Sequence, residues 1–148
     1  MFDKIIRDVI ILFESQTNAK GIVLSCVLEP NTLINGDVNR LKQLVIILID
    51  NAIHYTDHQG RIDVKLVKQE KTIEISISDT GIGIDKEHLE KIFDRFYRAE
   101  QSRGRNSEGA GLGLAIAKWI VAEQNGSIKV ASNPEQGTTF RVSLPDNQ

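Results

Sequence analysis

The sequence predicts an α+β fold, a two-layer sandwich in which helices cover one face of a mostly antiparallel sheet. Period-two alternation runs through Ile62, Val64 and Leu66, crosses the polar turn Gln69-Glu70-Lys71, and resumes through Ile73, Ile75 and Ile77. That is an antiparallel pair with one buried face. Helix-period spacing occupies other stretches, and helices and strands are mixed rather than repeated as βαβ units. No internal repeat and no linker splits the 148 residues, so one domain over 1–148 is expected.

The elements follow in order. Residues 3–20 carry Ile5, Ile6, Val9, Ile10, Leu12 and Phe13 on one face, which predicts a helix stopped by Gly21. A strand is expected over 22–28, ended by Glu29-Pro30-Asn31, then a short extended piece over 32–34. The segment 38–56 is ambiguous at its centre, because Leu44-Val45-Ile46-Ile47-Leu48-Ile49 alone reads as a buried strand. Its length exceeds that of a typical strand, so one long, mostly buried helix is predicted, with Asp37 or Asn39 able to cap its start. The hairpin follows from Gly60, its second strand ending on Asp79. A short helix is expected over 86–92, and a mobile polar loop over 99–109. A helix opens at Gly109-Ala110-Gly111-Leu112-Gly113 and runs to about residue 123, where Asn125-Gly126 ends it. Strands over 127–131 and 138–144 complete the sheet.

Composition removes several functions. Lys plus Arg is 18 against 20 Asp plus Glu, a net charge of -2, with 5% aromatic residues. A nucleic-acid platform needs a basic surface, and single-strand binders need stacking rings, so no nucleic-acid partner is expected. The lone cysteine, Cys26, excludes an internal disulfide and a cysteine zinc cluster. No apolar run approaches the roughly 20 residues of a membrane span, and the N-terminus does not read as a signal peptide. The expectation is a cytoplasmic domain.

Three constellations bear chemistry. In Asp79-Thr80-Gly81-Ile82-Gly83 a strand-end carboxylate precedes two glycines that let a flat ligand approach the backbone. An ionised Asp accepts only, which suits an exocyclic amine such as that of adenine; taken alone, the same residues are also a plain Asp-Gly turn. Gly109 to Gly113 is a glycine-rich helix start whose N–H groups favour phosphates. It follows no strand and lacks the Lys-Ser/Thr of a P-loop, so neither Rossmann nor Walker chemistry fits. Asn51 interrupts the end of a buried apolar helix, and its carbonyl oxygen is a suitable ligand for Mg²⁺; a helix-end Asn facing water is the plainer alternative. Arg95, Arg98, Arg103 and Arg105 lie in the polar stretch, as phosphate-closing groups or as a solvated charged loop. Trp119 and Tyr97 read as core or rim packing.

The joint order is more specific than any part. Asn51-Ala52 with Tyr55, Asp79 to Gly83, Phe93 to Phe96, Gly109 to Gly113, and Gly137-Thr138 follow one another along nearly the whole chain. In this order the sequence resembles the catalytic ATP-binding domain of sensor histidine kinases, in the Bergerat-fold ATPase/kinase superfamily. These segments match that family's N, G1, F and G2 boxes and its final Gly-Thr signature.

The resemblance implies a mixed five-stranded sheet backed by three main helices. It implies that Asp79 receives the adenine amine with Thr138 assisting through water, and that Gly81 and Gly83 pass close to the base. Asn51 holds Mg²⁺, Tyr55 lines the pocket, and Arg98 reaches the phosphates. N–H groups from Gly109, Gly111, Leu112 and Gly113 cradle the phosphate tail. The implied cofactors are ATP and Mg²⁺, with ADP as the other nucleotide partner. The implied activity is transfer of the γ-phosphoryl group to a histidine on the dimerisation and phosphoacceptor domain of the same kinase. A response regulator follows indirectly, and the parent chain is implied to be membrane-anchored, with this domain cytosolic and monomeric in isolation.

This chain departs from the family pattern in three places. His54 stands where Lys or Arg is usual, so a phosphate contact there would be only partly charged at neutral pH. Ala110 removes a hydroxyl from the second glycine box. Ile47, four residues before Asn51, stands where the family usually has a polar residue and where related ATPases of the superfamily carry a water-activating Glu; Ile cannot act as a base, so slow intrinsic hydrolysis is expected. None of His54, His58 and His88 has the context of a family phosphoacceptor. The alternative functions are a nucleotide-dependent regulatory binding module and an anti-sigma-type serine kinase.

Overall fold

The computed structural model describes residues 1–34, 36–56, 58–81, 92–93, 112–133 and 137–146. Among them are four helices, α1 (Phe2–Leu12), α2 (Glu14–Lys20), α3 (Val38–Tyr55) and α4 (Leu112–Glu123). The strands are β1 (Val23–Leu28), β2 (Arg61–Lys68), β3 (Thr72–Asp79), β4 (Ser127–Asn133) and β5 (Gly137–Pro145). They form one sheet in the order β1-β2-β3-β5-β4. Only β1 and β2 run parallel, as the long α3 crossover requires; the other three pairings are antiparallel.

The single first helix expected over 3–20 is two. Phe13 sits between them at φ -100 and ψ 2, outside regular helix geometry. The buried stripe Phe2, Ile6, Val9, Phe13 and Thr17 nevertheless continues through the break, and the Thr17 hydroxyl bonds the Glu14 carbonyl at 3.0 Å. Gly21 (φ 65) then ends α2 in a Schellman motif: its N–H donates to Asn18 O and that of Ile22 to Thr17 O. Residues 32–34 form no strand. The Thr32 carbonyl accepts from Phe2 N, and Thr32 N donates to Asp3, which pins the start of α1.

The ambiguous apolar segment is α3. Asp37 caps it, accepting from Asn39 N and Arg40 N. Leu41, Leu44, Val45, Leu48, Ile49, Ala52 and Ile53 are buried, while Lys42 and Asp50 face solvent. Its core run is therefore one helical face, packed on β3 with α1 and α4 alongside. The opposing sheet face supplies Ile62, Val64, Leu66, Ile73, Ile75, Ile77, Phe140, Val142 and Leu144. α4 ends as expected at Asn125 (φ 60), where Gly126 N donates to Val121 O and Asn125 N to Ala122 O. Trp119 is a rim residue, with the Arg40 guanidinium 4.8 Å above its ring. No described helix is long and apolar enough to cross a membrane. The helix expected over 86–92 lies outside the described residues except for Ile92, as do the loop over 99–109 and the second glycine box up to Gly111.

Candidate functional site

The alternation of β3 continues past its last isoleucine. Ile73, Ile75 and Ile77 face the core, and so does Asp79, a carboxylate at a position where the pattern calls for an apolar side chain. In register across the sheet end lie Ile62, Asp79, Thr138 and Ser132. Asp79 and Thr138 are both buried, at 7% and 6% exposure. Asp79 Oδ1 accepts from Gly81 N at 2.8 Å. Burial pushes the carboxyl up to about 6, against the pull of the Gly81 and Thr138 backbone amides. Near neutral pH the group is thus a largely ionised, poorly solvated acceptor.

Close backbone packing fixes this corner. A side chain on Gly81 would overlap the Tyr55 carbonyl oxygen. Gly137 has φ +105, and a Cβ there would overlap the Asp79 carbonyl oxygen. Glycine at both positions therefore follows from contact as well as from conformation.

The last turns of α3 carry the other candidates. Ile47, Asn51 and Tyr55 are spaced by four residues, so they share one face, and all are half-buried. One end of this stripe touches Gly81 through the Tyr55 backbone, and the other adjoins Gly113, where an added Cβ would lie 3.6 Å from Ile47 Cγ2. Eight residues of helix span about 12 Å, so the stripe runs from the buried carboxylate to the N-terminus of α4. His54 packs edge-on against Tyr55, ring centroids 4.9 Å apart. Phe93, the first residue of the F box, is edge-on to Phe140 at 6.2 Å.

Gly81 and Asp79, paired with Thr138, thus meet the C-terminal end of α3 at Tyr55, Asn51 and His54 lie along its last turns, and Gly113 with the backbone of Leu112 adjoins its middle at Ile47. Gly83, Arg98, Gly109 and Gly111 lie outside the described residues. Among the described residues no group of three or more His, Cys, Asp or Glu could hold a metal. The Mg²⁺ expectation therefore falls on Asn51, half-buried on this stripe. A single Asn oxygen fits an ion that keeps most of its waters and takes its remaining ligands from phosphates.

Three contributors were not foreseen. Lys20 Nζ donates to Ile53 O at 2.8 Å, satisfying a carbonyl in the last turn of α3, which ends without a glycine cap. The Thr56 hydroxyl does the same for Ala52 O. No local motif signals a cap from 33 residues away. Ser132, bonded to Thr138, was detectable: the inward series Ile128, Val130, Ser132 turns polar in the same row as Asp79.

A mixed five-stranded sheet backed by helices, with a buried acceptor at one strand end and the half-buried stripe of α3 leading from it toward the start of α4, points to a nucleotide-binding domain of the ATPase/kinase class. Residues 36–148 match the family described as histidine kinase-, DNA gyrase B-, and HSP90-like ATPase. The signal transduction histidine-protein kinase BaeS of Escherichia coli is 38% identical over 133 residues, covering 90% of this chain and 28% of the relative. The sensor protein CiaH of Streptococcus pneumoniae is 45% identical over 104 residues, 70% of this chain and 23% of that protein. The chain therefore spans about a quarter of the length of these relatives. Among solved structures, the catalytic domain of histidine kinase ThkA superposes with a TM-score of 0.84 at 30% identity, covering 97% of this chain and 91% of that one. The chain belongs to the histidine kinase-, DNA gyrase B-, and HSP90-like ATPase family, and within it to the ATP-binding catalytic domains of sensor histidine kinases.

Proposed function

We propose that this domain, residues 1–148, binds Mg-ATP and delivers the γ-phosphoryl group to a histidine on the dimerisation and phosphoacceptor domain of its parent kinase. The observation that carries the reading is the half-buried stripe of α3 joining the Asp79 pocket to the start of α4. It is about 12 Å long and polar at Asn51 and Tyr55, with His54 packed against Tyr55. Asp79 accepts the adenine amine, with Gly81 leaving room for the base and Thr138 beside it. Tyr55 walls the pocket. Amides at Leu112 and Gly113 hold phosphate oxygens at the positive end of the α4 dipole, together with Gly109, Gly111 and Arg98. Asn51 holds Mg²⁺, which supplies charge neutralisation on the phosphates when bound. The protein's share is positioning and electrostatics, since phosphoryl transfer asks little covalent chemistry of it. We place the domain on the cytosolic side of a membrane-anchored parent that passes phosphate on to a response regulator; the solved complex of ThkA with the response regulator TrrA supports that order of partners.

The test mixes the domain with labelled ATP and a separate phosphoacceptor domain. Label that is acid-labile and base-stable marks phosphohistidine; binding without transfer would support a regulatory module instead. Asn51→Ala is expected to reduce transfer on the order of 100-fold, as loss of a charge-stabilising contact does, while binding of adenosine alone is unchanged.

Ile47 supports a kinase over a hydrolase. It is half-buried beside Gly113 and has no proton-accepting atom with which to activate water. Intrinsic turnover below about one per minute is expected, against roughly 10 per second for a median enzyme. Faster phosphate release from the isolated domain would contradict the assignment.

A further inference from the structure

The hydroxyls at the sheet end carry a polarity that can be worked out without seeing hydrogens. Ser132 Oγ lies 3.0 Å from Gly137 O and 2.8 Å from Thr138 Oγ1. A carbonyl only accepts, and a serine hydroxyl has one hydrogen. Ser132 therefore donates to Gly137 O, and Thr138 must be the donor in the Ser132–Thr138 pair. The single Thr138 hydroxyl hydrogen is thus directed along the sheet, away from Asp79. What remains of Thr138 toward the pocket is acceptor capacity, next to a carboxylate that also only accepts.

We propose that Ser132 is a positioning residue for base selectivity: by taking the Thr138 hydroxyl hydrogen it makes the pocket accept from the base at two adjacent points. This rests on the reading that adenine occupies the Asp79 pocket. Two adjacent acceptors match the 6-amino group of adenine and oppose the oxygen of a 6-oxo purine. A water between Thr138 and the base reverses the polarity at that point but keeps the discrimination. It gives one hydrogen to Thr138 and keeps the other for an acceptor such as the unprotonated N1 of adenine, where a 6-oxo purine carries a hydrogen. Without the serine hydroxyl, Thr138 can rotate to donate, and one of the two points of rejection is lost.

ATP and ITP are the probes, because their bases differ at this edge. Kd values are measured by calorimetry for the wild type, Ser132→Ala, Ser132→Thr, Thr138→Val and the Ser132→Ala/Thr138→Val double variant. Ser132→Ala is expected to narrow the ATP-to-ITP preference about tenfold, the scale of one hydrogen bond made or opposed. Ser132→Thr, which keeps the hydroxyl, should retain the preference. Adding Ser132→Ala to Thr138→Val should change it no further, since the serine acts through Thr138. Parallel losses of ATP and ITP affinity, or additive effects in the double variant, would overturn the proposal and leave Ser132 with a packing role. If Ser132→Ala does not fold, an unchanged preference in Thr138→Val overturns it equally. Asp79→Asn is the control: if ATP binding survives it intact, the placement of adenine is wrong and the selectivity argument goes with it. A weakened Asp79→Asn beside a Ser132→Ala of unaltered preference rejects the Ser132 role alone.

Discussion

Asp79→Asn is expected to stabilise the domain above pH 6 while weakening ATP binding on the order of 100-fold. Both effects come from one buried carboxylate. Folding raises its pKa from 3.8 to about 6 because burial removes water from the charged form. The folded protein therefore holds this proton more tightly than the unfolded chain. Above pH 6 the ionised group opposes folding by on the order of 3 kcal/mol, and the penalty fades as pH falls from 6 toward 4. An Asn keeps the volume and one oxygen for Gly81 N, 2.8 Å away. It should recover about 1–3 kcal/mol at pH 8, a rise of several degrees in Tm, and nothing at pH 4. The amide has only one acceptor oxygen, so satisfying Gly81 turns its NH₂ toward the other donors of the carboxylate, the adenine amine and the Thr138 amide, which also holds the stability gain toward the low end of that range. Flipping the amide moves the same conflict to Gly81. In the wild type, ATP affinity should fall as pH drops through about 6; in Asp79→Asn that component should vanish. Equal stability of the two proteins at pH 8 would show that the carboxylate is better solvated than its burial implies.

The same carboxylate shows what could be read in the sequence. Asp79 was legible as a site because two glycines follow it, and the hairpin was legible because alternation is local. The α3 assignment came from length, and the structure resolves its β-branched centre into a helical face with buried Leu44, Val45, Leu48 and Ile49. The break at Phe13 was not legible, since the apolar stripe of residues 2–17 is continuous on both sides of it. Nor was the support of α3 by Lys20, which joins a side chain to a carbonyl 33 residues away. Motifs report what a residue presents to a ligand; the contacts that hold the motif in place are tertiary and leave little trace in local spacing.

Gly137→Ala is expected to be the most damaging single-methyl change in the described part of the site. The residue has φ +105, beyond the left-handed region that Ala or Asn can occupy at modest strain. Its added Cβ would overlap the Asp79 carbonyl oxygen and lie 2.9 Å from the Asp79 carbonyl carbon and 3.1 Å from Thr80 Cα. All three are backbone atoms at the end of β3 or just past it, so no side-chain rotation relieves the contact. The variant must separate β5 from β3 where Asp79 pairs with Thr138. A loss of about 3–5 kcal/mol is expected, lowering Tm by roughly 10 °C or more. ATP affinity should fall further than partial unfolding explains, because the two acceptors move apart. Gly113→Ala provides the contrast. It lies inside α4, its Cβ would meet Ile47 Cγ2 at an ordinary 3.6 Å, and Ala is the better helix former by about 0.5–1 kcal/mol. Equal or higher Tm is expected there, with any effect confined to phosphate binding. Thermal unfolding of the two variants side by side separates a glycine required by the fold from one kept for the ligand. A Gly137→Ala protein as stable as the wild type would mean that the β3–β5 end can open at no cost, and the paired acceptors would then not be rigidly held.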